Sequence, residues 1–172
     1  IVDYIVEQTV GKLVEGKSPR QLRDFGGRQP LRVLDPACGS GSFLLGAYQL
    51  LLDHYRRWYE ADGAEKHAQG RQPALRPGRN GEWWLTTTEK KRILLDHIYG
   101  VHIDRQAVEV TKLSLMLKVL EGETEETVAQ QLSFWHERAL PDLAENIKCG
   151  NSLIGPDYFE GRLMPDEDEI RR

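Results

Sequence analysis

A short apolar segment followed by a turn of small residues is the part of this sequence best suited to chemistry. Residues 31–34 are apolar except for one arginine and are flanked by prolines, as expected of a short buried strand in a parallel sheet. Gly39 and Gly41 follow. Because glycine has no Cβ, the backbone there can adopt positive φ and a ligand can approach the main chain closely. The pattern predicts a strand, a ligand-binding turn and then a helix, which we expect Ser42 to cap.

The carboxylate at the end of this strand distinguishes the turn from a phosphate-binding loop. No Gly-Lys-Ser/Thr follows it, and a third glycine at dinucleotide spacing is missing, which disfavours nucleoside triphosphates and nicotinamide dinucleotides. Asp35 would repel a pyrophosphate, but it would attract an ammonium group by roughly 4 kcal/mol at a few Å and intermediate dielectric. S-adenosylmethionine carries an ammonium group and no phosphate. It is therefore a ligand that would suit this turn.

Three segments resemble, in chain order, the cofactor motifs of the DNA adenine-N6 methyltransferases. They are residues 35–44 (DPACGSGSFL), residues 98–104 (IYGVHID) with the helix that follows, and residues 147–155 (IKCGNSLIG). They are most similar to the methylase part of restriction-modification enzymes, including type IIG and type I-like systems. The resemblance implies an α/β, Rossmann-like methyltransferase fold that is partial here, with the first three parallel strands and their flanking helices.

The resemblance also implies which residues contact S-adenosylmethionine. Asp35 would bind the methionine ammonium, the backbone of residues 37–41 would line the cofactor, and the later motifs would meet ribose and adenine. The implied cofactor-binding residues are Asp35, Ala37, Cys38, Gly39, Gly41, Phe43, His102, Ile103, Asp104 and Asn151. No metal site is expected, because the two cysteines lack CxxC spacing.

Several of these residues have a second possible role. The family usually places an acidic residue where this sequence has His102, and a neutral imidazole accepts one hydrogen bond rather than a bidentate pair. Asp104 would either bind the ribose or cap the following helix. Ile103 would contact either the adenine or the core. Asn151 would pair with the adenine or lie in a simple turn.

Helical spacing and capping signals predict the elements that surround the motifs. Helices are expected over residues 1–14, 43–58, 90–97 and 105–121, and strands near Leu31, Ile98 and Ile147. Thr86 and Glu89 resemble a capping box. The helix after the second motif contains Thr111, which we assign to packing rather than to chemistry.

Residues 61–82 lose this periodicity and are rich in glycine, proline and polar residues. We interpret them as an insertion loop, which would account for the long separation between Asp35 and Asp104. The loop carries Lys66 and several arginines, among them Arg76 and Arg79. It is either a solvated surface loop or a contact to the DNA backbone.

Composition indicates one globular domain, residues 1–172, and the resemblance implies that this domain is a fragment of a larger methylase. The 172 residues are 40% hydrophobic and 29% charged, which suits a single core. No apolar run approaches the ~20 residues that span a bilayer, so no membrane partner is expected and the cytoplasm is the default location. The net charge of -4 does not favour DNA binding by this segment itself.

The motif that acts on the target amine in this family, Asn/Asp/Ser-Pro-Pro followed by an aromatic residue, is absent, and residues 155–158 are the nearest string. We therefore expect the cofactor-binding half of a DNA (adenine-N6) methyltransferase, without catalytic residues and inactive alone. DNA would be contacted through the parent protein, with a specificity subunit or a fused endonuclease or recognition domain. A protein-glutamine or RNA-base methyltransferase and a non-catalytic cofactor-binding scaffold or sensor are the alternatives.

Overall fold

The computed structural model describes residues 1–78, 81–123 and 141–154. Its helices are α1 (Val2–Val6), α2 (Lys12–Val14), α3 (Pro19–Arg23), α4 (Ser42–Ala61), α5 (Ala64–His67), α6 (Thr87–His97) and α7 (Arg105–Leu120). A π-helical turn, Glu7–Gly11, joins α1 to α2. The strands are β1 (Val33–Asp35), β2 (Leu75–Pro77), β3 (Trp83–Leu85), β4 (Ile98–His102) and β5 (Ile147–Cys149).

Three strands form a parallel sheet in the order β1-β4-β5. Asp35 is paired with Gly100, and His102 with Cys149. Helices flank this sheet, so the predicted partial Rossmann-like α/β fold is confirmed. The first strand begins later than the apolar pattern suggested and ends at Asp35, where Pro36 has no amide hydrogen to continue the ladder.

Helix α4 provides a large part of the core. Its buried side chains recur at helical spacing and pack beside α6 and the sheet. They are Leu44, Ala47, Tyr48, Leu51, Leu52, Tyr55 and Tyr59. The single long helix predicted after the glycine turn is therefore present.

Three tyrosines of α4 donate hydrogen bonds to α6, and we call Tyr48, Tyr55 and Tyr59 the tyrosine ladder. The Tyr48 hydroxyl donates to the Lys90 carbonyl at 2.9 Å, and that of Tyr59 donates to Glu89 Oε1 at 2.7 Å. These bonds satisfy the polar ends of large buried rings.

His97 completes the middle of the ladder. Its Nδ1 lies 2.6 Å from the Leu31 carbonyl, which can only accept, so Nδ1 donates there. Its Nε2 is then free to accept from the Tyr55 hydroxyl at 2.7 Å. Burial lowers the pKa of His97, which agrees with a neutral ring. One imidazole thus connects α4 and α6 to the segment that enters β1.

The predicted insertion loop, residues 61–82, has more regular structure than we expected. It contains α5 and β2, and β2 pairs with β3 in an antiparallel hairpin. Leu75 and Leu85 of this hairpin are buried. The expectation of an irregular loop was wrong, because strands of three residues are too short to show a clear alternation. That the segment is an insertion stays a prediction.

Arg76 in this segment is held within the fold. Its guanidinium donates to the Gly122 carbonyl at 3.0 Å, pairs with Glu123 and lies over the Trp84 ring. A role in DNA contact is therefore disfavoured for Arg76, since these groups already occupy it. Arg79 and residues 155–158 lie outside the described residues.

Two predicted helix caps differ from the structure. Ser42 is the first residue of α4, and the cap is Gly41, which makes no side-chain bond. Thr86 caps α6 by accepting from the Glu89 amide at 3.2 Å, as predicted. Glu89 does not return a bond to Thr86, because its carboxylate is bound by Tyr59 and Arg92. The capping box is therefore only half formed.

Among the described residues, none of the helices combines the length and apolar character needed to cross a lipid bilayer.

Candidate functional site

The carboxyl ends of β1, β4 and β5 lie at one edge of the sheet because the three strands are parallel. We call this the carboxyl edge: Asp35, the turn of residues 36–41, His102 and residues 150–154. Its loops touch one another. The Gly150 amide donates to the His102 carbonyl at 3.0 Å, and the Ser152 hydroxyl donates to the Pro36 carbonyl at 2.8 Å. The structure thus brings all three predicted motifs to one edge.

The glycine turn at this edge is tight and open on one side. The Gly41 amide donates to the Cys38 carbonyl at 2.8 Å, and Gly39 and Gly41 have φ of 55° and 84°. A Cβ built on Gly39 would meet nothing within 4 Å. Glycine is therefore needed at position 39 for its backbone conformation, and the space beside it is free for a ligand.

Asp35 is held in a defined orientation at the end of β1. Its Oδ1 accepts from the Ala37 amide at 3.0 Å, and the side chain is only partly buried. Ala37 itself is exposed. The carboxylate therefore has a fixed position and is accessible to a cationic group.

Cys38 and Phe43 direct their side chains toward the core. Cys38 is 6% exposed, and its amide donates to the Val101 carbonyl at 3.0 Å. Burial raises the pKa of its thiol, and the nearby Asp35 carboxylate raises it further. Phe43 is partly buried and packs against the core. Any contact from Cys38 to a cofactor would therefore come from its backbone.

Gly100 of β4 allows Cys38 to pack this closely. A Cβ at Gly100 would lie 2.7 Å from Leu44 Cδ1 and 3.2 Å from Cys38 Sγ. We did not single out this glycine in the sequence, although an isolated glycine inside a strand indicates a close approach. It brings the glycine turn directly against the sheet.

The residues at the end of β4 have three different environments. His102 is partly buried, whereas Ile103 is 59% exposed, which disfavours a core role for Ile103. Asp104 caps α7, because its Oδ1 accepts from the amides of Gln106 at 2.7 Å and Ala107 at 3.5 Å. Asp104 therefore acts as a helix cap, and its contact with the ribose stays a prediction.

Asn151 lies in a turn after β5. Its Oδ1 accepts from the Leu153 amide at 3.0 Å, and its carbonyl accepts from the Ile154 amide at 3.3 Å. The side chain is exposed. A simple turn at Asn151 is one of the two roles that the sequence predicts for this residue, the other being a contact with the adenine.

Two other contacts at the carboxyl edge were not anticipated. Ser152 joins the third motif to the first through Pro36, and no local sequence signal indicates this contact. Thr111 of α7 donates to the Gly39 carbonyl at 2.9 Å across 72 residues. Thr111 lies in the helix that follows the second motif, but a contact between residues so far apart in the chain leaves no periodic pattern in the sequence.

In the part of the chain that the structure describes, two surface clefts lie away from the carboxyl edge. One, of about 320 Å³, is lined by Trp83, Trp84 and the end of α7. The other, of about 450 Å³, lies between α2 and α4 beside Trp58. Neither of these two clefts includes a residue of the carboxyl edge.

Comparison with known families identifies the chain. The sequence model described as "MmeI, DNA-methyltransferase domain" matches residues 14–158. The chain belongs to this family. The resemblance to restriction-modification methylases is thereby confirmed, and the match covers all three motifs of this DNA-methyltransferase domain.

Individual relatives agree with the family. This DNA-methyltransferase domain is 32% identical over 154 residues to the Escherichia coli "Type II restriction enzyme and methyltransferase RM.Eco57I", covering 90% of the chain and 14% of the relative. It is 35% identical over 125 residues to a "Putative type II restriction enzyme and methyltransferase" of Methanocaldococcus jannaschii, covering 73% and 9%. It is 23% identical over 169 residues to the Streptomyces coelicolor "Adenine-specific methyltransferase PglX", covering 98% and 11%. The domain thus spans only a small fraction of each relative.

Proposed function

We propose that this domain is the S-adenosylmethionine-binding part of a restriction-modification enzyme that methylates N6 of adenine in DNA. The observation that carries the proposal is the juxtaposition of the open glycine turn with the Asp35 carboxylate at the carboxyl edge. Family membership and the names of the relatives support the reaction class. A carboxylate beside exposed amides suits a ligand with an ammonium and a carboxylate group on one carbon.

Different residues of the carboxyl edge would bind different parts of the cofactor. Asp35 would accept from the methionine ammonium, and the uncapped amides at the start of α4 would donate to the methionine carboxylate. When bound, S-adenosylmethionine supplies a methyl group on a positively charged sulfur. The turn of residues 37–41 would hold the methionine end through its backbone.

For the ribose we favour His102 over Asp104. Asp104 already accepts two amides of α7 at Oδ1, whereas His102 lies at the end of the central described strand and can accept from one hydroxyl. Ile103 would lie against the adenine, since its side chain is exposed at the same edge. Asn151 would reach the adenine amine only if its bond to the Leu153 amide opened.

DNA would be bound by other parts of the parent protein. The net charge of this chain is -4, and Arg76 is occupied by internal partners. The adenine amine needs hydrogen-bond acceptors and a base extruded from the duplex, and the motif that provides the acceptors is absent from this sequence. We therefore propose a fused endonuclease or recognition domain, or a specificity subunit, as the DNA-contacting partner.

Calorimetric titration of the chain with S-adenosylmethionine tests the proposal. We expect saturable binding, and we expect Asp35→Asn to weaken it about tenfold or more, because Asn keeps the bond from the Ala37 amide but loses the charge. Asp53→Asn is the matched control, since Asp53 lies on α4 and pairs with Gln49 and Arg56. Its affinity should equal that of the wild type.

Equal affinity of Asp35→Asn and wild type, or equally tight binding of NADH, would contradict the proposal. A methyl-transfer assay with DNA tests its second part. The chain alone should give no methylated adenine, and robust turnover would show that it contains the acceptor groups we assign to the parent protein.

A further inference from the structure

The side chain of Thr111 contacts the glycine turn. It lies on the buried face of α7 and is 0% exposed. Its hydroxyl donates to the Gly39 carbonyl at 2.9 Å. A buried hydroxyl needs a partner, and here that partner is the backbone of the proposed cofactor turn.

The same side chain also fills the space beside the second glycine. A Cβ on Gly41 would lie 2.7 Å from Thr111 Cγ2 and 3.0 Å from its Oγ1. Gly41 has a positive φ of 84° and begins α4 as its N-terminal cap. One threonine therefore contacts both positive-φ glycines, the first by a hydrogen bond and the second by packing.

The hydrogen bond has a consequence for the next amide. In a trans peptide the carbonyl and the following N–H point in opposite directions, and the described chain contains no cis bonds. With the Gly39 carbonyl turned inward to Thr111, the Ser40 N–H points away from the core. Ser40 is exposed, and among the described residues its amide has no acceptor.

We infer that Thr111 is a positioning residue that holds the Gly39–Ser40 peptide so that the Ser40 amide faces the cofactor. The inference rests on the proposed function, because the ligand of that amide would be S-adenosylmethionine. Threonine suits both tasks. Its hydroxyl binds the Gly39 carbonyl, and its methyl group packs against Gly41.

The first test examines the turn without ligand. Thr111→Val keeps the shape of the side chain and removes the donor, whereas Thr111→Ser keeps the donor. In an amide NMR spectrum we expect Thr111→Val to shift or double the resonances of Gly39, Ser40 and Gly41, and Thr111→Ser to restore them. Wild-type resonances for these amides in Thr111→Val would overturn the inference.

The second test measures cofactor affinity and thermal unfolding together. Thr111→Val should weaken S-adenosylmethionine binding about tenfold, as expected for one lost hydrogen bond, and Thr111→Ser should bind nearly as the wild type does. Leu115→Val is the matched control, because Leu115 is buried one turn further along α7 and its apolar side chain cannot form a hydrogen bond to the glycine turn. It should lower the unfolding temperature and leave the affinity unchanged.

The two tests separate the inference from the proposed function. If the wild type binds and Thr111→Val binds equally well, the positioning role is overturned. If the wild type fails to bind while the amide resonances respond as expected, the proposed cofactor is overturned and the orientation of the turn by Thr111 stands. If Leu115→Val weakens binding as much as Thr111→Val does, the effect is one of stability, which also overturns the positioning role.

Discussion

The tyrosine ladder and the carboxyl edge treat polar groups in opposite ways. In the ladder, the hydroxyls of Tyr48, Tyr55 and Tyr59 each meet a partner within the protein. At the carboxyl edge, Asp35 and His102 are partly exposed, and α4 begins without a side-chain cap. Groups that are satisfied internally stabilise the fold, whereas groups left open are available to a ligand. The difference separates the stabilising region from the binding region.

Substitutions in the ladder should lower the free energy of unfolding without changing cofactor affinity. Substitutions at the carboxyl edge should lower cofactor affinity without changing the free energy of unfolding. Two histidines offer the sharpest contrast, because one is central to the ladder and the other lies at the edge.

The largest effect is expected from His97→Leu. It leaves the Leu31 carbonyl and the Tyr55 hydroxyl buried without their partner, so the free energy of unfolding should fall by about 2–4 kcal/mol. Urea denaturation measures this change. The control is His102→Ala, which should alter stability by less than about 0.5 kcal/mol and weaken cofactor binding. If both variants lose the same stability, the comparison fails.

A smaller effect is expected from Tyr55→Phe. The ring stays buried and only the hydroxyl is lost, which leaves His97 Nε2 without its donor. The cost should be about 1–2 kcal/mol in the free energy of unfolding. Tyr4→Phe is the matched control, since Tyr4 is 67% exposed, and its unfolding curve should match that of the wild type. An unchanged unfolding curve for Tyr55→Phe would show that this ladder bond does not stabilise the fold.

The pH dependence should be the smallest effect. Burial lowers the pKa of His97 from its ordinary value of 6.5. On acidification the unfolded chain therefore takes up a proton at this histidine before the folded chain does, and stability falls as the pH decreases below about 6.5. Thermal unfolding between about pH 7.5 and about pH 5.5 measures the slope. In His97→Gln the slope should be shallower, and an identical slope would assign the effect to other groups.

The local parts of the fold were predictable from the sequence. The strand ending at Pro36, the glycine turn and the long helix follow one another in the chain, so each signal acts on its neighbour. The three parallel strands were also anticipated in their order along the chain. The β2–β3 hairpin was missed because glycine and proline mark hairpins and irregular loops alike. Ser42 was misassigned because the left-handed Gly41 takes the cap position.

The candidate site was predictable only where local signals set the position of a residue. Asp35 lies at the end of a strand before proline and Gly39 lies in a positive-φ turn, as the sequence predicts, and their contact with a ligand stays a prediction. Asp104 and Asn151 were ambiguous because the same side-chain oxygens that bind a ribose or an adenine also cap helices and close turns. The contact of Thr111 with Gly39 depends on tertiary structure and has no local signature.

Helix α4 connects the tyrosine ladder to the carboxyl edge. The helix begins at the glycine turn and has 20 residues, so it is a rod about 30 Å long. A tilt of about one degree at the far end moves the near end by about 0.5 Å, which matters to a hydrogen bond. The ladder anchors this rod at three points along its length. Because two of these anchors remain when one is removed, a single ladder substitution should leave the glycine turn in place and change the stability of the fold rather than the cofactor affinity.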